Sequence, residues 1–330
     1  MKKNKTVIKE IIKALMKAKR VLIIGHANPD GDSLGSQLGV AELLDTKHIE
    51  YEIVNEGVIP GKYAFLPGID RIRNIDNYQA KGSSFDTAVF IECSNLERIG
   101  NVQTLVNNGC KIINIDHHQD NSNFGDINFL DFEAAAAGEM VYELILDGGF
   151  EISKNMATNL YTAILTDTGR FHYKSTTPKS MRVAADLLDK GASSSRITDE
   201  IYYKQSINSL ALTGAVLQGL EYFLDNRVCF MSIDNALLEK TKTTKADTDG
   251  LVNYALRAEG VLVGVLFSDK GPGVTKASFR SQNHISIVDV AGKHGGGGHK
   301  NACGCTLNMP VDEAQEIIVK EIEELLDGAS

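Results

Sequence analysis

Four stretches of this 330-residue chain gather the residue types that hold divalent cations: His26-Ala-Asn-Pro-Asp30-Gly-Asp32, Glu92, Asp116-His117-His118 and Asp167-Thr-Gly169. The first three directly follow apolar runs that read as strands, at Val21–Ile24, Thr87–Ile91 and Lys111–Ile115. The fourth ends a helical pattern over 153–166. Open α/β sheets bind ligands outside the carboxyl ends of their strands, so these sites would converge on one edge. Taken singly, each has a plain alternative. An Asp after a strand often caps a helix, Asp-Gly often marks a turn, and a lone His is often an ordinary core residue. Together, four carboxylates and three imidazoles at three successive strand ends would carry uncompensated charge without a cation. Carboxylate and imidazole without thiolate suit Mn²⁺ or a similar divalent ion better than structural zinc, and the candidates suffice for two ions.

The elements that must position them follow from periodicity. Val7, Ile8, Ile11, Ile12, Leu15 and Met16 have helical spacing in a lysine-rich start, unlike the continuous apolar core of a signal peptide. The strands are nearly continuous in apolar residues, as in parallel sheets covered on both faces. Helical patterns recur at 135–147, 153–166 and 178–190. This alternation predicts an α/β fold, a doubly wound, mainly parallel sheet over 1–190. From 191 to 225 the pattern is helical and reads as a connector, and strands return over 226–330 at Val228–Ile233, Val261–Phe267 and Thr275–Arg280. That second, smaller α/β domain closes on an acidic amphipathic helix from Val311 to Leu326.

Lys and Arg number 34 against 43 Asp and Glu, a net charge of −9. The excess argues against a protein that coats long duplex nucleic acid. A small anionic substrate stays open, because a bound metal reverses the local sign. Five cysteines, at 93, 110, 229, 303 and 305, make an odd count with no Cys-x-x-Cys pair, which points to reduced thiols and a cytoplasmic setting. No apolar run approaches the roughly 20 residues of a membrane span.

Late in the chain, Gly295-Gly-Gly-Gly298 precedes His299. Such a run lets backbone N–H groups of Gly296, Gly297 and Gly298 approach an anion; the alternative is a loop joining helix to strand. Arg280 suits bidentate phosphate contact, and Lys276, four residues back on the same strand, shares its face. Arg257 is a further candidate, with an ordinary surface charge as its alternative. His48, His172, His284 and His294 have no supporting constellation.

The order His26-x-x-x-Asp30-x-Asp32, an acid at a second strand end, Asp116-His117-His118 and a later Asp167 resembles the four motifs of the DHH phosphoesterase superfamily. Phe279-Arg280-Ser281 and Gly295-Gly-Gly-Gly-His299-x-x-Ala302 resemble its associated DHHA1 domain. The pair resembles the bacterial NrnA-type branch of oligoribonucleases and pAp phosphatases, from about residue 7 to the end. The resemblance implies that His26 and Asp30 hold one ion, that Asp32, His117 and Asp167 hold a second, and that position 92 bridges them. It further implies Asp116 as an orienting carboxylate, His118 facing the scissile phosphate, and Asn28 as a polar contact beside it. Mn²⁺ is the expected metal, with Mg²⁺ or Co²⁺ as alternatives.

One departure stands out. The family residue at position 92 is Asp, and this chain has Glu. Either Glu92 bridges with an altered metal preference, or one ion is weakly held; the other five filled positions favour the first. The implied activity is hydrolysis of short RNA or linear dinucleotides to 5′-mononucleotides, with 3′-phosphoadenosine 5′-phosphate (pAp) as a further substrate. The nucleotide would lie between the two domains, with Arg280 and His299 on a distal phosphate. A homodimer stays open. Rival readings are a cyclic-dinucleotide phosphodiesterase, a pyrophosphatase or exopolyphosphatase with the same metal site, and a low-activity nucleotide-binding regulatory module. A dinucleotide-cofactor oxidoreductase is disfavoured, since the first loop lacks Gly-x-Gly-x-x-Gly.

Overall fold

The computed structural model describes residues 2–79, 84–282 and 284–328. The chain divides into two compact units, 1–204 and 205–330. The division falls inside the stretch read as a connector: its first part packs with the first unit, its last helix with the second.

The first unit runs α1 (Lys2–Leu15), β1 (Arg20–Ile24), α2 (Gly31–Asp45), β2 (Glu50–Asn55), β3 (Ile72–Asn74), β4 (Thr87–Ile91), β5 (Lys111–Asp116), β6 (Ile127–Leu130), α3 (Ala137–Asp147), α4 (Lys154–Asp167), α5 (Pro178–Asp189) and α6 (Ser194–Thr198). Its six strands are all parallel in the order β3-β2-β1-β4-β5-β6. Alternation along each strand feeds two cores. Val21, Ile23, Val89, Ile91, Ile113 and Ile115 pack beneath the helices on one face, while Leu22, Ile24, Ala88 and Phe90 fill the other. Strand order reverses between β1 and β4, where such sheets open a crevice for ligands. The loops after β1, β4 and β5 all leave at that end.

Helices α2 and α4 lie unusually close, and glycine permits it. A Cβ on Gly35 would stand 2.3 Å from the Asn159 carbonyl oxygen, and one on Gly31 would stand 2.5 Å from Thr166 Oγ1. The start of α2 thereby meets the end of α4, bringing Asp32 to Asp167.

The second unit comprises α7 (Ile207–Gln218), β7 (Glu221–Phe223), β8 (Val228–Ile233), α8 (Asn235–Thr241), β9 (Val263–Gly271), β10 (Val274–Ser281), α9 (Val288–Lys293), β11 (Gly297–His299), β12 (Ala302–Leu307) and α10 (Val311–Gly328). Its mixed sheet has the order β11-β12-β10-β9-β8-β7, with β8 and β9 parallel and the other pairs antiparallel. Phe230, Phe267, Phe279, Cys303 and Cys305 pack against α9 and α10. The opposite face buries Cys229, Met231 and Leu266 with α7, α8 and the turn at Leu251–Arg257.

The glycine run differs from a simple loop. Gly297–His299 forms β11, paired with Ala302–Gly304 of β12. A Cβ on Gly296 would stand 2.2 Å from the Gly304 carbonyl oxygen, so close backbone pairing accounts for part of the glycine. Among the described residues, no helix is long and apolar enough to cross a membrane.

Gly35→Ala weighs two effects. Helix propensity would gain about 1 kcal/mol. Overpacking against a backbone carbonyl, which cannot rotate away, costs about 1–3 kcal/mol. Net destabilisation is expected, read as a lower urea midpoint at unchanged slope.

Candidate metal centre

Each candidate ligand is placed by a chain feature next to a strand or helix end. His26 follows β1 after Gly25 and donates from Nδ1 to the Ala27 carbonyl at 2.9 Å. Asp30 caps α2, its Oδ1 accepting from Asp32 N and Ser33 N at 3.0 Å each. Asp32, fully buried, accepts from Ala137 N at 2.6 Å, Gly138 N at 2.9 Å and Ser36 Oγ at 3.0 Å. His117 donates from Nδ1 to the Ala134 carbonyl at 3.2 Å. Both His26 and His117 thus anchor one ring nitrogen on a backbone carbonyl and turn Nε2 toward carboxylates, as metal-binding imidazoles do.

These side chains fall into overlapping trios: His26, Asp30 and Glu92; Asp32, His117 and Asp167; and Glu92, His117 and His118. Ligand atoms within each trio lie within 4.8 Å of one another. His26 Nε2 is 3.6 Å from Glu92 Oε2 and 3.9 Å from Asp30 Oδ1. His117 Nε2 is 3.5 Å from Asp167 Oδ2 and 3.7 Å from Asp32 Oδ2. Those separations are too long for hydrogen bonds and suit donor atoms around a common cation. Glu92 Oε2 and His117 Nε2 are buried without a hydrogen-bond partner. Unsatisfied buried donor atoms converging in this way fit a bound divalent ion.

The electrostatics agree. Burial raises the Asp32, Glu92 and Asp167 carboxyls, and their neighbouring acids add to it, with Asp167 reaching about 7. Burial alone would lower His26, but Asp30 and Glu92 override it and raise the pKa to about 11. Without a cation the cluster keeps protons.

His118 plays a different part. Its Nδ1 meets Asp116 Oδ1 at 2.8 Å, and its ring also comes close to Glu92 and His117. Burial pushes Asp116 up, but the bond to His118 outweighs it and holds the carboxyl below its ordinary value. Asn121 was not among the sequence candidates. Its Nδ2 reaches Asp116 Oδ2 at 2.6 Å, Asn114 Oδ1 at 2.9 Å and the Cys93 carbonyl at 3.1 Å. Asn28, with φ 56°, lies exposed on the His26 loop, its side-chain oxygen against Gly57.

In the second unit, exposed Lys276 and half-buried Arg280 occupy one face of β10, with Ser278 between them. Arg280 Nη1 donates to the Phe279 carbonyl at 2.8 Å. Arg257 stacks over Tyr254, 4.3 Å from the ring centre. Lys276, His294, Gly296 and Thr306 line an open depression on the surface. His294, given no role above, is tied to Glu321 at 2.9 Å. The side chain of His299 lies outside the described residues.

Family models agree with this two-part layout. The DHH family, N-terminal domain, matches residues 20–164, and the DHHA1 domain matches 225–328. The chain is 30% identical over 314 residues to the bifunctional oligoribonuclease and PAP phosphatase NrnA of Bacillus subtilis, covering 94% of this chain and 96% of that one. The chain belongs to the DHH family. A Thermus thermophilus protein of the same description is 32% identical, covering 98% of this chain and 94% of that one. An exopolyphosphatase-related protein from Bacteroides fragilis shares the fold at a TM-score of 0.90 and 27% identity, covering 98% of this chain and 96% of the other. As a DHH-family member the chain is a hydrolytic phosphoesterase that depends on divalent metal.

Cation binding should therefore displace protons, since metal ligands must be deprotonated. Calorimetry of Mn²⁺ binding in buffers of different ionisation enthalpy should show proton release at pH 6 that declines through pH 7 as Asp167 loses its own proton, and affinity should rise with pH. Buffer-independent heats would contradict the assignment.

Proposed function

We propose that this protein is a two-metal phosphoesterase that hydrolyses short oligoribonucleotides or linear dinucleotides to 5′-mononucleotides and removes the 3′-phosphate of pAp. The observation that carries this reading is the pair of trios, His26–Asp30–Glu92 and Asp32–His117–Asp167, linked by a third in which Glu92 and His117 meet His118. The names of the Bacillus and Thermus relatives supply the substrate class.

His26, Asp30 and Glu92 would hold one ion, Asp32, His117 and Asp167 the other, with Glu92 shared. Mn²⁺ is proposed because the donor set mixes carboxylate and imidazole without thiolate. Bound divalent ions supply activation of the attacking water and charge neutralisation at the phosphate. His118, whose Nδ1 meets Asp116, is proposed to hand a proton to the leaving oxygen. Asn28 offers a polar group on the same loop as Asp30. In the second unit, Arg280, Lys276, Arg257, His299 and the Gly296–Gly298 backbone are proposed as phosphate-binding groups. All five cysteines are free, which supports a cytoplasmic setting.

With Mn²⁺, a panel of dinucleotides, pAp, cyclic di-AMP, pyrophosphate and polyphosphate should show turnover chiefly of linear dinucleotides and pAp. Asp30→Ala and His117→Ala should each lower kcat by more than about 100-fold, beyond the usual effect of removing a ligand's hydrogen-bond partner. Turnover chiefly of polyphosphate or pyrophosphate would replace the nucleotide reading. Tight nucleotide binding without turnover would make the protein a regulatory module. Asp30→Ala with full activity and metal content would remove the two-metal assignment.

A further inference from the structure

Two of the ligands just described, Asp32 on the first turn of α2 and His117 just after β5, lean on one short segment. The His117 Nδ1–H donates to Ala134 O at 3.2 Å. Ala137 N and Gly138 N donate to the two oxygens of Asp32 at 2.6 and 2.9 Å. Between these contacts the sequence is Ala134-Ala-Ala-Ala-Gly138, buried along its length. Alanines carry no group that could fix the segment's own conformation. The N-cap of α3 is Ala136, which makes no side-chain cap bond. The orphan N–H groups of the first turn therefore need partners from elsewhere.

Asp32 serves those of Ala137 and Gly138, and Glu139 serves the amide just before the cap. Three residues into α3, it reaches back and accepts from Ala135 N at 3.2 Å, much as the last residue of a capping box does. Its side chain is completely buried, and Oε1 has no aligned hydrogen-bond donor. What faces Oε1 is the ammonium of Lys179, 2.8 Å away on the first turn of α5. Lys179 also meets Glu143 at 2.8 Å and Asp131 at 3.6 Å. Asp131 precedes the alanine run and Glu139 follows it, so a single cation brackets both ends. Burial works against that ammonium, but the Glu139 and Glu143 carboxylates outweigh it and raise its pKa above the ordinary lysine value.

We propose that Glu139, neutralised by Lys179, is a positioning residue of the metal centre: it fixes the Ala134–Gly138 backbone that aims His117 and Asp32 at the second ion. The inference rests on the two-metal reading above. Neither residue touches the ion or the substrate. Their effect passes through backbone groups, and groups at that remove typically change metal affinity or activity by about 10–100-fold. Breaking the pair from the Lys179 side leaves a buried carboxylate uncompensated, so it should disturb the segment at least as much as removing Glu139.

The test compares the full-length protein with Glu139→Gln, Glu139→Ala, Lys179→Met and Lys179→Arg. Mn²⁺ binding is followed by calorimetry and by the electron paramagnetic resonance signal of a coupled Mn²⁺ pair, alongside circular dichroism, kcat and KM for a dinucleotide. Lys179→Met and Glu139→Ala are expected to keep a folded spectrum, to weaken one of two Mn²⁺ sites by about 10–100-fold, and to lose the coupled-pair signal at limiting Mn²⁺. Excess Mn²⁺ should restore most of kcat with KM little changed, which a general loss of structure would not allow. Lys179→Arg keeps the charge and should stay near wild type. If the Ala or Met variants fail to fold, Glu139→Gln decides: it keeps the shape and the acceptor for Ala135 N–H while removing the charge that Lys179 balances, and should still weaken one site measurably. Folded variants that bind two Mn²⁺ with wild-type affinity would overturn the inference while leaving the metal centre intact. A wild-type protein that binds no Mn²⁺ would overturn the metal reading itself, and this inference with it.

Discussion

The first unit is organised around one buried charge. Asp32 has no solvent exposure, yet it sits among Asp30, Glu92 and Asp167 rather than beside a lysine or arginine. A carboxylate in that position is costly unless hydrogen bonds and opposite charge offset it. Two backbone N–H groups at the start of α3 and the Ser36 hydroxyl supply the first. The partial positive charge of a helix N-terminus supplies part of the second. What remains is compensated by the imidazole of His117 and, when bound, by a divalent cation. A polyanionic substrate can then approach a cluster of acids that would otherwise repel it.

That requirement dictates the packing around it. For α3 to point its first turn at Asp32, and for Asp167 to close the trio, α2, α3 and α4 must pack nearly in contact. Small residues make the approach feasible: a Cβ on Gly138 would stand 2.5 Å from Ala163 Cβ, just as Gly35 admits the Asn159 carbonyl. The parallel sheet beneath provides the third constraint. Only adjacent strands leaving the same edge, β1, β4 and β5, can deliver His26, Glu92 and His117 to one point.

Much of this is legible in the sequence. Apolar runs of four or five residues ending in His, Asp or Glu mark β1, β4 and β5 because buried parallel strands leave little room for polar side chains. The helices over 137–147, 154–167 and 178–189 carried clear periodicity. Other parts were hidden for physical reasons. β2 begins Glu50-Tyr-Glu, with its first residues facing solvent, and β3 and β6 are short strands on the sheet's edges. β11 is two glycines and a histidine, a composition that signals turn rather than ladder. At the centre, backbone groups do what no residue type can announce: four alanines and a glycine read as filler, yet their carbonyl and amide groups bond to His117 and Asp32. Asn121, three residues after His118, carried only the faint signal of a polar side chain near an acid.

Glu92 shows how strain and reach come together at such a centre. The backbone there adopts φ 58°, the left-handed region, at a cost of roughly 1–2 kcal/mol for a residue bearing a Cβ. Aspartate tolerates that region better, because its short side chain can bond locally to the backbone. Glutamate bears the strain and gains one methylene of length. The turn is held from outside, since Glu92 N donates to the Ile115 carbonyl at 3.0 Å as β4 ends beside β5. From that fixed point the longer side chain belongs at once to the trio with His26 and Asp30 and to the trio with His117 and His118. An aspartate would ease the backbone while drawing the carboxylate back toward β4, away from at least one of them. The extra length therefore keeps the Glu92 carboxylate within reach of both groups.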